Sequence, residues 1–289
     1  MKKPSPSFTP LFIILIFSAF LFSGCTTSAP ACGWEVPQNG LLNEYTNPEL
    51  ARFYPDPPAV SPQIAERIRT DAEAGNTDAQ VQLGMLYLTG RAVQKDPDAA
   101  WRWFEKAAQE GNTNAMVMQG SMRWNGSDKK HDPQAAIAFY EKAGEKGNSR
   151  ALFELGTIYY RGEFKDRKKA GAYFEKAAQN GYTPAMLALG SWYLSREKRD
   201  DEQYREKGRQ LIMAAAEKGD LVAQYVMGVF SREGMHFEKD EKAARQWYTR
   251  AAAQGSPQAK EELNDMDEAG EYSLLPPGQN SPPSKPSMQ

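Results

Sequence analysis

Two apolar patterns alternate along most of this chain, and both have helical period. From Asp78 to Thr89 the apolar positions are Ala79, Val81, Leu83, Leu86 and Tyr87, the spacing of one buried helix face. From Pro97 to about Gln109 they are Ala100, Trp103, Phe104 and Ala107. We term these helix A and helix B. Asp96-Pro97 and Asp132-Pro133 predict the starts of B helices, because aspartate caps the free backbone N–H groups and proline suits the first turn. Gly90 predicts the end of helix A and Gly111 the end of helix B.

The pair of patterns recurs. Gly75, Gly111, Gly147, Gly181, Gly219 and Gly255 are separated by 36, 36, 34, 38 and 36 residues. Each is followed four residues later by alanine: Ala79, Ala115, Ala151, Ala185, Ala223 and Ala259. A mid-helix glycine recurs at Gly84, Gly120, Gly156, Gly190 and Gly228, and a third at Gly90, Gly126, Gly162 and Gly234, with Arg196 in its place in the fourth repeat. A glycine inside a helix costs about 1 kcal/mol relative to alanine. Its recurrence predicts a neighbouring helix so close that a side chain would collide. Five full repeats span about 75–254. Pro62–Ala74 matches a preceding helix B, with Ile64, Ile68 and Ala72 in register. Ser256 to about Asp267 matches a closing helix A, whose Glu261, Glu262, Asp265 and Asp267 suggest a polar exterior. Short connections make neighbouring helices antiparallel. One hairpin cannot bury its apolar face, so the expected fold is all-α, an α-solenoid of stacked helix pairs over 61–269.

The set Ala79, Gly84, Tyr87, Gly90, Asp96 and Ala100, with the block Trp103-Phe104-Glu105-Lys106-Ala107-Ala108 and its later counterparts, resembles the Sel1-like repeat family, a relative of the tetratricopeptide repeat. The second repeat departs from it with Gln119 and Arg123 where Leu and Tyr are expected. The fourth departs further, with Arg196 for glycine, Gly208 for alanine and a highly charged connection through Lys207.

The chain begins differently. Lys2 and Lys3 precede an apolar run from Leu11 to Phe22, too short for a bilayer-spanning helix of roughly 20 residues but suited to a secretory signal. Leu21-Phe22-Ser23-Gly24-Cys25 resembles a bacterial lipobox, with Phe22 in place of the usual Leu. That resemblance implies a signal peptide over 1–24 and a lipidated Cys25. Thr26, rather than Asp, implies transfer to the outer membrane, with the body in the periplasm. The competing reading is an ordinary signal peptide cleaved near Ala29 or Ala31. If Cys25 is acylated, Cys32 has no partner within the chain. Residues 25–60 read as a tether, and 270–289 as a disordered proline-rich tail.

Composition narrows the chemistry. The 35 Lys+Arg residues nearly balance 37 Asp+Glu, which provides no broad basic field for nucleic acid; no polybasic segment suggests a phosphate or anionic-lipid surface, and small local patches stay open. Both cysteines lie near the N-terminus, so the repeats are neither disulfide-stapled nor cysteine-ligated to metal. His131 and His236 lie in separate loops without companions at ligand spacing. No nucleophile elbow, zinc-protease motif or phosphate loop is present. The expectation is a non-catalytic chain with no cofactor or metal.

A binding surface is the better candidate. On helix A, the positions two before, one after and five after the mid-helix glycine form one stripe: Gln82, Met85 and Thr89, then Met118, Ser121 and Asn125, then Glu154, Thr157 and Arg161, then Ala188, Ser191 and Ser195, then Val226, Val229 and Glu233. They vary in character while the flanking core positions stay apolar. Arg123 and Trp124 add two residue types favoured at interfaces. Solvation of the stripe, and packing of Trp124 under the tether, are the competing readings. Lipid anchor, secretion and Sel1-like repeats together resemble immunity proteins that neutralise periplasmic lipase effectors of type VI secretion, which implies a protein partner. A regulatory or assembly factor for envelope enzymes, or a host-interaction protein, is the alternative.

Overall fold

A computed structural model of the chain describes residues 60–127, 130–160, 163–195 and 202–273, with side chains to residue 268. The signal, Cys25, Cys32, most of the tether, Arg161 and the tail beyond Ser273 lie outside the described residues. Twelve helices are described: α1 Pro62–Glu73, α2 Thr77–Thr89, α3 Pro97–Gln109, α4 Thr113–Asn125, α5 Pro133–Glu145, α6 Ser149–Tyr160, α7 Arg167–Gln179, α8 Thr183–Leu194, α9 Glu202–Glu217, α10 Leu221–Glu233, α11 Glu241–Ala253 and α12 Pro257–Ser273. They pack in consecutive pairs, and the fold is an α-solenoid. The chain divides into two compact units, 1–212 and 213–289, with the boundary inside α9.

Helix ends form as the residue types predict. The Asp96 carboxylate accepts from Ala99 N at 2.9 Å and that of Asp132 from Ala135 N at 2.9 Å, each with proline in the first turn. Gly90 and Gly126 close α2 and α4 in the left-handed region, at φ 73° and 63°.

In the first three repeats the mid-helix glycines have a single explanation. An alanine Cβ at Gly84 would lie 2.6 Å from the Phe104 ring, one at Gly120 2.8 Å from Tyr140, and one at Gly156 2.6 Å from Phe174. Each helix B thus presses a large aromatic ring onto the bare backbone of its own helix A. Phe104 and Phe174 are fully buried. The fourth repeat solves the same problem without an aromatic. Its counterpart is Ile212, and Gly208 sits where other repeats carry alanine. A Cβ at Gly190 would lie 2.9 Å from Gly208 O, and one at Gly208 2.9 Å from Gly190 O. Two glycines therefore bring α8 and α9 into backbone contact.

Successive repeats are also joined by an asparagine ladder. Asn112 caps α4 through its Oδ1, while its Nδ2 donates to Thr77 Oγ1 at 3.2 Å and Asp78 Oδ1 at 2.8 Å. Asn148 repeats this with Thr113 and Asn114, at 3.0 Å each. Tyr182 ends the ladder and provides no side-chain cap.

In the first unit a buried side-chain amide oxygen is left unsatisfied. Gln80 is fully buried; its Nε2 donates to Ala72 O, but its Oε1 has no hydrogen-bond partner. The equivalent Gln224 in the second unit accepts from Gln254 Nε2 at 2.7 Å. The residue equivalent to Gln254 in the first repeat is Glu110, whose carboxylate cannot donate. Glu110→Gln should supply the missing donor and stabilise the fold by about 1 kcal/mol. A rise in the denaturation midpoint of that size checks it.

In the second unit, α10 is buried from Leu221 to Ser231. Tyr248 stacks on Gly228, where a Cβ would lie 2.5 Å from its ring. The closing helix differs from its sequence reading. Glu262 is not exterior: it pairs with Arg232 and accepts from Tyr225 Oη at 3.3 Å. α12 also continues past Gly270 to Ser273. In the first unit, Ile64 is exposed, and Ala65, Ile68 and Ala72 form the buried face of α1.

Burial raises the Glu262 carboxyl pKa above its ordinary range; Asp265 and Glu261 add to this, and Arg232 and Tyr225 oppose it. A carboxyl with a higher pKa folded than unfolded favours folding at low pH and loses that contribution as pH rises through the raised value. The stability of wild type relative to Glu262→Gln should therefore increase as pH falls from about 7 to about 5. Parallel denaturant titrations at the two pH values check the sign.

Candidate functional site: the helix A stripe

Residues three, four and seven positions apart share one helix face, and here that face is open in part. In α2, α4 and α6 the stripe residues Gln82, Ser121, Glu154 and Thr157 are half-buried and Asn125 is exposed. Met85 and Met118 are buried, at 2% each. They belong to one cluster with Val81, Phe104, Ala115 and Met122. The stripe is thus corrected at these two positions: their long apolar side chains fill the space between α2 and α4. Ala188 and Ser191 are likewise buried, and the Ser191 hydroxyl donates to Leu187 O within its own helix. Val226 and Val229 are part of the buried run of α10. Arg161 lies outside the described residues.

Within α2, α4 and α6 the accessible stripe therefore comprises Gln82, Thr89, Ser121, Asn125, Glu154 and Thr157; Ser195 and Glu233 are exposed at the ends of α8 and α10. Thr157 Oγ1 donates to Phe153 O at 3.1 Å, so its hydroxyl is satisfied by its own helix. Glu154 has Arg150 at 3.8 Å, and that arginine is 8% exposed. The surface offers a carboxylate, amides and small side chains, with a charged group braced from beneath.

A separate aromatic–arginine set involves α3, α4 and α5. The Arg123 guanidinium carbon sits 3.8 Å from the centroid of the Trp101 ring. Trp101 meets Phe139 edge-on at 5.8 Å, and Trp124 packs on Phe164 at 6.3 Å. All five are half-buried. Sequence reasoning singled out Arg123 and Trp124 but missed Trp101, Phe139 and Phe164. A signal existed for Trp101: the equivalent positions hold Ile137, Gly171, Arg209 and Arg245, so a tryptophan there is not required by the repeat. Such cation–π contacts contribute about 0.5–1 kcal/mol at exposed sites.

The histidines have local roles. His131 Nδ1 lies 2.7 Å from Trp124 O, which requires a proton on that nitrogen. His236 has φ 59° and meets Phe230 edge-on at 5.1 Å. Among the described residues no three His, Cys, Asp or Glu side chains converge as a metal site would need.

Comparison with known proteins places these features in a family. The Sel1 repeat profile matches residues 77–112, 113–148, 149–182 and 221–256. It passes over the stretch in which Gly190 and Gly208 replace the usual packing. No curated protein sequence matches the chain. Among solved structures, a Sel1 repeat protein from Oxalobacter formigenes is 30% identical, with a TM-score of 0.57 over 66% of this chain and 79% of that one. A protective antigen of uropathogenic Escherichia coli, of SLR fold, is 28% identical with a TM-score of 0.57; this chain spans 72% of its own length but 45% of the antigen's. The immunity protein Pa5087 from Pseudomonas aeruginosa is 27% identical with a TM-score of 0.55, over 68% of this chain and 76% of that one. The chain belongs to the Sel1 repeat family.

Proposed function

We propose that this chain is a non-catalytic binding scaffold of the bacterial envelope, and specifically an immunity protein that neutralises a periplasmic lipase effector of type VI secretion. The observation that carries this reading is the similarity to the Pseudomonas aeruginosa immunity protein over 76% of that protein's length. The leader supports it: a lipid on Cys25 would hold the body in the compartment where such an effector acts. The accessible stripe and the Arg123–Trp101–Phe139 set provide a surface of the kind that binds proteins, with tryptophan and arginine as anchors.

The similarity to a protective antigen favours a second reading, in which the body faces the host. The two separate in one experiment. A lipase encoded beside this chain, sent to the periplasm of a susceptible strain, should kill cells. Co-expression of the wild-type chain should restore growth. Undiminished killing at matched expression would reject the immunity reading and leave the host-facing one.

A further inference from the structure

In the first compact unit every helix B begins on the same edge of the array, the edge that carries the A-to-B loops. The chain enters the fold on this edge. Val60, just before α1, packs with Val93 of the first loop against Ala65, Ile68 and Leu86. Exposed cations lie along this edge: Lys95 in the first loop, Lys130 in the second, Lys165 in the third, and Arg167, Lys168 and Lys169 in the first turn of α7 that follows it. Across this loop end and the first turn of α7, four of the five residues 165–169 are basic, in a chain whose net charge is −2. Aromatic side chains lie among them. Phe164 packs on Trp124, and Lys169 Nζ sits 5.0 Å from the Tyr159 ring centroid.

The edge also holds carboxylates. Asp96, Asp132 and Asp166 are turned onto helix N-termini, where backbone N–H groups bind them; Asp166, for example, accepts from Lys168 N and Lys169 N at 3.0 Å. Asp98 and Glu163 are exposed. The four cations of residues 165–169 still outnumber the acids around them and are all exposed, whereas the Asp166 carboxylate is turned back onto backbone N–H groups.

We infer that this loop edge, centred on Lys165, Arg167, Lys168 and Lys169, is the face the body presents to anionic lipid headgroups of the membrane that holds its anchor. The inference rests on the reading of Cys25 as a lipidated residue. The tether of about 35 residues between Cys25 and Val60 joins the body on the basic edge. Exposed lysine and arginine are attracted to an anionic leaflet, with a range of about 8 Å at physiological ionic strength. Half-buried aromatic rings at the same level suit the headgroup zone. The stripe on helix A runs along the helix faces rather than their ends, and so stays open to a partner.

The test uses the full-length lipidated chain with Cys32→Ser, carrying one nitroxide at Glu163→Cys or at Gln179→Cys. Both positions are exposed. They flank opposite ends of α7, whose 13 residues rise about 1.5 Å each, so the labels are roughly 20 Å apart. The protein is reconstituted on phosphatidylglycerol–phosphatidylethanolamine vesicles containing a trace of nickel-chelating lipid. The Glu163 label should relax strongly and the Gln179 label weakly. The contrast should vanish with Lys165→Glu, Arg167→Glu, Lys168→Glu and Lys169→Glu combined, or in about 1 M salt, where screening falls to about 3 Å, while the protein still floats with the vesicles. Equal relaxation at both labels, or a contrast indifferent to charge reversal, overturns the proposal and leaves the anchor reading intact. Shielding of Glu163 that requires an added acidic protein also overturns it. Failure to float with the vesicles rejects the anchor reading and the proposal with it.

Discussion

Replacing Gly156 with leucine should cost about 3 kcal/mol or more of unfolding free energy. Gly156 is buried in the middle of α6, and a Cβ there would already lie 2.6 Å from Cδ1 and Cε1 of Phe174. The ring cannot retreat: Phe174 is 1% exposed and packs with Ala170, Ala188 and Leu189. A leucine adds four carbons to space that cannot hold one, so α6 and α7 must separate and the core opens with them. The effect belongs to the pair, not to the glycine. Gly156→Ala combined with Phe174→Leu should be more stable than the sum of the two single changes predicts, because a smaller neighbour makes room for the new methyl. Thermal and denaturant melts of the four proteins in that cycle check it. An unchanged midpoint for Gly156→Leu would show that the ring does not rest on the backbone.

Binding should fail, with the fold intact, in a variant carrying Ser121→Lys, Asn125→Lys and Thr157→Lys. These positions are exposed or half-buried in α4 and α6, and substitutions at such sites usually change stability by less than about 0.5 kcal/mol each. Three long cations at the centre of an interface would have to be desolvated without designed partners, so affinity for the proposed lipase should fall by about 100-fold or more. Met118→Glu, which the sequence stripe alone would recommend, tests something else. Met118 lies in the core, and an unpaired carboxylate there would unfold the chain before it probed a surface. Calorimetric titration with the partner, beside a helical spectrum and melt, separates the two outcomes. Wild-type affinity in the lysine variant would move the contact to the Arg123–Trp101–Phe139 set.

The periodic part of the fold was legible because each repeat solves one problem in one way. Glycine spacing located the helices, and the mid-helix glycines announced a close contact before Phe104, Tyr140 and Phe174 were known to make it. Gly75-Asn76, Gly111-Asn112 and Gly147-Asn148 also carried the asparagine ladder, although spacing alone did not show that each amide reaches back to the preceding cap. The surface was harder to read. Periodicity places Met85, Met118 and Ser121 on one helix face, but whether that face is open depends on the neighbouring helix, and methionine there fills a gap between repeats. The same limit applied to Glu262. A carboxylate on the closing helix α12 suggested solvent, yet Arg232 and Tyr225 on α10 draw it inward. In the fourth repeat the loss of pattern at Gly208 raised doubt about the packing, and a second glycine proved to be how that packing is achieved.

The central claim is that this Sel1 repeat body acts by binding and neutralising a protein, and the most direct measurement is inhibition of the purified lipase encoded beside it. The lipase's hydrolysis of phospholipid vesicles should fall to zero as the chain reaches one equivalent per enzyme, and the lysine variant should leave it running. Full lipase activity at a large excess of the wild-type chain, with no complex detectable by calorimetry, would contradict the account.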